Sequence, residues 1–172
     1  GRGYGLAWSD LGGGLIPWYA PALPPLGCVA LQLNGRDAYA SFDRGLIPAQ
    51  RSFTIAVTFW SAPSSGGTQE LLSQDAGSNG TAFYLGCAWQ GYIRAGDDWE
   101  NTGVPFPQDG RWHTLVLVRR PRSAELYLDG QSVARLDREL RGPAGNEFRI
   151  GRQYGGYAEY FAGRIAEIVV WD

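Results

Sequence analysis

The density of backbone breakers constrains this chain most: 25 glycines and 10 prolines in 172 residues, about a fifth of the whole. They follow no collagen-type period. Breakers at this density cut a chain into short segments, which suits an all-β fold and not a helical one. The segments between them alternate. In SFTIAVTFW, Phe53, Ile55, Val57 and Phe59 fall on one face and Thr54, Ala56, Thr58 and Trp60 on the other, the pattern of a half-buried strand. Further strands read as CVALQL, ELLSQ, TAFYLGCAW, GYIRAG, RWHTLVLVRR, SAELYL, QSVARL, EFRIGR and RIAEIVVWD. Asn34-Gly35, Asn79-Gly80, Gln90-Gly91, Asp109-Gly110 and Asp129-Gly130 punctuate them, the last as the plainest hairpin turn. About ten strands at roughly ten-residue spacing predict a two-sheet antiparallel sandwich, its core built from the alternating apolar faces of both sheets.

Composition narrows the function. A 44% hydrophobic content excludes disorder, and 15 basic against 17 acidic residues argues against nucleic acid as the main partner. No apolar run approaches the length of a membrane span, and GRGYG is not the start of a signal peptide. A leading Gly1 fits either a removed initiator Met or a cut precursor. Every basic residue is Arg, which we read as codon usage, yet the planar guanidinium makes each one a candidate binder of carboxylates or sugar hydroxyls. The two cysteines, Cys28 and Cys87, are no disulfide framework; they read as two buried thiols or as one bridge.

Residues 1–27 differ from the rest. Runs of Gly and Pro surround Trp8, Trp18 and Tyr19, forbidding a long helix while supplying too much apolar surface for a solvated linker. Two readings stand: an extended arm that packs on its own domain or on a neighbouring subunit of a homo-oligomer, or a divergent first strand of the domain at 28–172.

In order, the segments ALQLNGRDAYASF, SFTIAVTFW, DGRWHTLVLV, AELYLDGQSVA, FRIGR and FAGRIAEIVVWD resemble the laminin G-like branch of the concanavalin A-like lectin/glucanase superfamily. The resemblance implies a jelly-roll sandwich with one concave face and variable rim loops. Two departures stand out: Ala166 precedes Glu167 where the family usually has Asp, and the Pro- and Trp-rich segment replaces the typical opening strand and turn.

Glucanases of that superfamily carry Glu-x-Asp-x-Glu on one strand, and no such run is present. The nearest approach in sequence is Glu125 and Asp129, whose backbones would lie roughly 13 Å apart on a strand, beyond the spacing of glycosidase pairs. The single histidine, His113, reads as packed or hydrogen-bonded on the sheet. No Ser/His/Asp set, zinc-ligand spacing or phosphate loop stands out. The Arg119-Arg120-Pro121-Arg122 run between two strands reads as a solvated turn.

Two clusters offer the mixture of rings and polar groups that binds sugars. One lies in AWQGYIRAGDDWEN, with Trp89, Tyr92, Arg94, Asp97, Asp98, Trp99 and Asn101; the other in RQYGGYAEYF, with Arg152, Tyr154, Tyr157 and Tyr160. Asp97 and Asp98, with Asn101, also supply oxygens of the kind calcium takes, although the spacing matches no EF-hand. No cofactor is required. The expected function is a non-catalytic, lectin-like adhesion or assembly protein at a virion or cell surface, docked through its N-terminal arm onto a protein partner, as in the phage virion proteins that small laminin G-like chains resemble. The alternative is a carbohydrate-binding module of a secreted glycan-active enzyme or cell-surface protein.

Overall fold

The computed structural model describes residues 3–7, 29–63, 65–76, 82–97, 99–154 and 157–172. Trp8, Trp18, Tyr19, Cys28, the Asn79-Gly80 turn and Asp98 lie outside the described residues. Twelve strands and no helix run through those described: β1 (Gly3–Ala7), β2 (Leu31–Asn34), β3 (Ala40–Phe42), β4 (Phe53–Ser61), β5 (Gln69–Gln74) and β6 (Phe83–Cys87), then β7 (Ile93–Ala95), β8 (Trp112–Arg120), β9 (Ser123–Leu128), β10 (Gln131–Leu136), β11 (Phe148–Ile150) and β12 (Ala162–Trp171). The larger sheet has the order β1-β12-β4-β8-β9-β10, with β2 also on β12; the smaller has the order β3-β11-β5-β6-β7. All pairs of strands are antiparallel, and the two sheets form a sandwich.

The alternation read in β4 holds. Phe53, Ile55, Val57 and Phe59 are buried and meet Leu72, Phe83, Leu85, Ile93, Phe148 and Ile150 of the smaller sheet. Phe59 stacks on Phe106 at 5.3 Å and meets Phe161 edge-on at 6.1 Å, closing one end of the core. Each such side chain contributes about 1.5–3 kcal/mol on leaving water, as an upper bound.

Asp129 and Gly130, at φ 51 and 81, both take the left-handed conformation that a two-residue hairpin between β9 and β10 demands. Asn34-Gly35 does different work. β2 and β3 belong to different sheets, so this turn is a crossing and not a hairpin. The Asn34 side chain holds it by accepting from the amides of Arg36, Asp37 and Ala38. The arginine run is also divided. Arg120, Pro121 and Arg122 are exposed, but Arg119 lies opposite Phe53 on the core face and is only 2% exposed. Its charge is accommodated by the carbonyls of Leu140 (2.9 Å) and Arg51 (2.6 Å) and by Glu139 (2.9 Å).

The N-terminal strand explains the unusual opening. Ala7 lies opposite Glu167 and Leu31 opposite Ile165, on the same edge of β12 and in the same antiparallel sense. β1 and β2 are therefore two halves of one edge strand, and the bulge at Ala166 marks their junction. Ala7 and Leu31 thus stand at nearly the same place along that edge. Together the two halves shield the full edge of β12 that β4 does not occupy.

Candidate functional site

The outward face of the smaller sheet gathers the polar chemistry. Register puts Glu70, Gly86 and Arg94 side by side across β5, β6 and β7, while Ser73, Tyr84 and Arg149 share a row across β5, β6 and β11. Leu72, Leu85, Ala95 and Ile150 alternate inward to the core. Gly86 is required here: a Cβ on it would lie 2.7 Å from Glu70 Oε2 and 2.2 Å from the Gln69 carbonyl. Its absence lets the Glu70 side chain cross toward Arg94.

Arg94 Nη2 donates to Glu70 Oε1 and, at 2.6 Å, to Glu159 Oε2. The guanidinium lies over the Tyr84 ring, 4.6 Å from its centroid. Glu159 reaches this position with φ 35, a left-handed conformation costing roughly 1 kcal/mol for a residue with a side chain. One cation thus serves two carboxyls. Burial pushes the Glu70 carboxyl up to about 8, against the pull of Arg94 and with the push of Glu159. Glu70 Oε2 and Arg94 Nε are buried without a hydrogen-bond partner.

The described residues between β11 and β12 are tied to the same face. Gly151 donates to the Leu71 carbonyl (2.9 Å), Ser73 Oγ to the Arg152 carbonyl (2.8 Å), and the Glu70 amide to the Glu159 carbonyl (3.2 Å). This sets Arg152 against two rings, 4.9 Å from the Tyr39 centroid and 5.2 Å from that of Tyr160. Arg149 lies over Tyr39 (5.8 Å) and Tyr154 (5.4 Å) and donates to Glu147 at 2.6 Å. Tyrosine faces, fixed guanidiniums and carboxyls on one surface can stack on sugar rings and bond their hydroxyls.

The two clusters read in the sequence are only partly joined. Arg94 from the first lies on the same face as Arg152, Tyr154 and Tyr160 of the second, without a shared contact among them. Trp99 must be corrected: it is 7% exposed and belongs to the core, because the 95–99 turn folds back on itself with Ala95 donating to the Trp99 carbonyl. Its indole is unavailable for stacking. Trp89 and Tyr92 occupy the turn between β6 and β7, with Trp89 73% exposed. Tyr157 is 75% exposed. Asp97 faces Arg141 at 3.7 Å, and Asn101 Oδ1 accepts from the Gly103 amide as a local turn. Among the described residues, no group of three His, Cys, Asp or Glu is placed to hold a metal ion.

Tyr39, Glu70, Tyr84, Arg149 and Glu159 escaped the sequence reading. The carboxyls that the structure brings onto one guanidinium are Glu70 and Glu159, 89 positions apart, and not Glu125 and Asp129. Glu70 has no exposed surface, so it cannot touch a bound glycan; the pair anchors Arg94. His113 is held as expected, with Nδ1 2.7 Å from Asp129 and Nε2 3.0 Å from Asp109. Cys87 is a buried free thiol, and burial pushes it up to about 11.

The laminin G-like model of the concanavalin A-like lectin/glucanases superfamily matches residues 34–172. No curated protein matches by sequence. Among solved structures, domain 4 of the extracellular arabinanase AbnA from Geobacillus stearothermophilus, in complex with arabinotriose, superposes with TM-score 0.66 at 19% identity, covering 100% of this chain and 82% of that one. The heptameric SAP-like pentraxin of Limulus polyphemus gives 0.61 at 16% identity, over 87% and 78% of the two chains. The CBM40 module of Ruminococcus gnavus sialidase, bound to α2,6-sialyllactose, gives 0.54 at 20% identity, over 79% and 90%. At these identities the likeness is one of fold. Among the described residues, no helix is long and apolar enough to cross a membrane.

Proposed function

Because this chain belongs to the laminin G-like family of the concanavalin A-like lectin/glucanases superfamily, we propose that it is a non-catalytic carbohydrate-binding module whose ligand lies on the outward face of the smaller sheet. One observation carries the reading: Tyr39, Tyr154 and Tyr160 are assembled with Arg149 and Arg152 on a single surface, from segments far apart in the chain. Rings and donors fixed before the ligand arrives reduce the ordering cost of binding. The fold neighbours support this reading over a virion-specific one, since two of them are modules solved with oligosaccharides. A protein partner held through residues 1–27, a phage virion setting and a calcium ion at Asp97 and Asp98 have no such support.

A glycan array followed by calorimetry tests the proposal. Tyr160→Ala and Tyr154→Ala should each weaken binding about tenfold, equivalent to ~1.4 kcal/mol, while leaving the melting temperature within a few degrees. Silence across a broad array, or turnover of a bound glycan, would overturn it.

A further inference from the structure

Three arginines stand on the proposed binding face, and their charges are differently committed. Arg94 is held by two carboxyls, Glu70 and Glu159. Arg149 is held by Glu147 at 2.6 Å. Arg152 has no acidic partner among the described residues. Its guanidinium packs instead against the rings of Tyr39 and Tyr160, whose centroids lie 6.2 Å apart, and its Nε is buried without a hydrogen-bond acceptor.

A half-buried guanidinium packed against two aromatic rings has lost part of its hydration and retains its full charge. Burying such a group is unfavourable unless an acceptor arrives. A carboxylate is the acceptor whose geometry matches the planar fork, since two parallel N–H···O bonds form at once. Packing against both rings also reduces the rotamer entropy that a free arginine would lose on binding. Tyr39, 42% exposed and flanked by both Arg149 and Arg152, offers a ring face next to the charge. We propose that Arg152 is the specificity-determining residue of this face and that the glycan it selects carries a carboxylate, as in a uronic or nonulosonic acid. This rests on the carbohydrate-binding reading and adds the ligand class to it.

Matched ligand pairs test the idea on the whole chain by calorimetry: trigalacturonate against its methyl ester, and 3′-sialyllactose against lactose. At least one acid should bind tenfold or more tighter than its neutral partner. That advantage should vanish in Arg152→Gln and should return in part in Arg152→Lys. If Arg152→Gln does not fold, the wild-type advantage read at 20 and 500 mM NaCl decides, since a charge-borne preference must shrink with salt. Equal affinity for both acids and their neutral partners, an advantage that survives Arg152→Gln or high salt, or tighter binding of a sulfated galactan than of either acid overturns the inference while leaving the module a glycan binder. If neither pair binds, the inference fails, and silence across the broad glycan array as well takes the carbohydrate reading with it.

Discussion

Replacing Glu70 with Gln separates the cost of its charge from the packing of its side chain. Glu70 is fully buried and shares Arg94 with Glu159, so its carboxyl is pushed up to about 8 from the ordinary 4.5. A carboxyl whose folded pKa is raised stabilises the fold fully below its unfolded pKa, and that contribution is lost as pH rises through the folded value. At ~1.36 kcal/mol per unit, the gap of 8 against 4.5 caps the loss at about 5 kcal/mol, of which about 3 kcal/mol falls between pH 6 and 9. In a domain of this size that corresponds to a fall of roughly 6–12 °C in melting temperature. Gln cannot ionise and is close in shape to the protonated acid, so E70Q should lack this fall and should be the more stable protein at pH 9. Unfolding by urea or heat from pH 5 to 9 measures it. The pKa of His113 is also raised, by its bonds to Asp129 and Asp109 against the opposing effect of burial, so its own contribution is lost over part of this range. His113 is present in both proteins, so its effect cancels in the difference. Parallel pH profiles for wild type and E70Q would refute the account of one cation shared by two carboxyls.

Two other outcomes follow from single groups. Cys87, buried and with its thiol pushed up to about 11, should resist iodoacetamide at pH 8 in the native protein and react only after denaturation; peptide mapping that finds Cys87 alkylated in the native state contradicts this. Asp129→Asn keeps a residue that tolerates φ 51 and an oxygen for the Thr114 amide, but removes the carboxylate 2.7 Å from His113. The His113 pKa read by NMR titration should therefore fall, and an unchanged value would show that Asp109 alone sets it.

Local chemistry made much of the fold legible. The period-two alternation of Phe53 through Phe59 is set by strand geometry, so it survives any arrangement of neighbouring strands. Asp129-Gly130 likewise encodes its own turn through the φ values it tolerates. Asn34-Gly35 shows the limit, because the same dipeptide chemistry that closes a hairpin also serves a crossing between sheets. Trp99 shows it again: an aromatic in a polar segment reads as a stacking platform until the chain's return at Ala95 places its ring inside.

What sequence alone determined is which residues share a face in an unbroken strand such as β4, because that period belongs to the backbone. In β5 a bulge between Glu70 and Leu72 overrides it. Which face meets solvent beside which other face was decided by tertiary structure. Glu70 and Glu159 share one guanidinium, and Arg152 packs against Tyr39 and Tyr160, only because inter-strand register and the contacts of the residues between β11 and β12 bring them there. No local preference encodes those distances. They are set by the burial of the opposite faces in one core, which fixes the register of every strand that contributes to it.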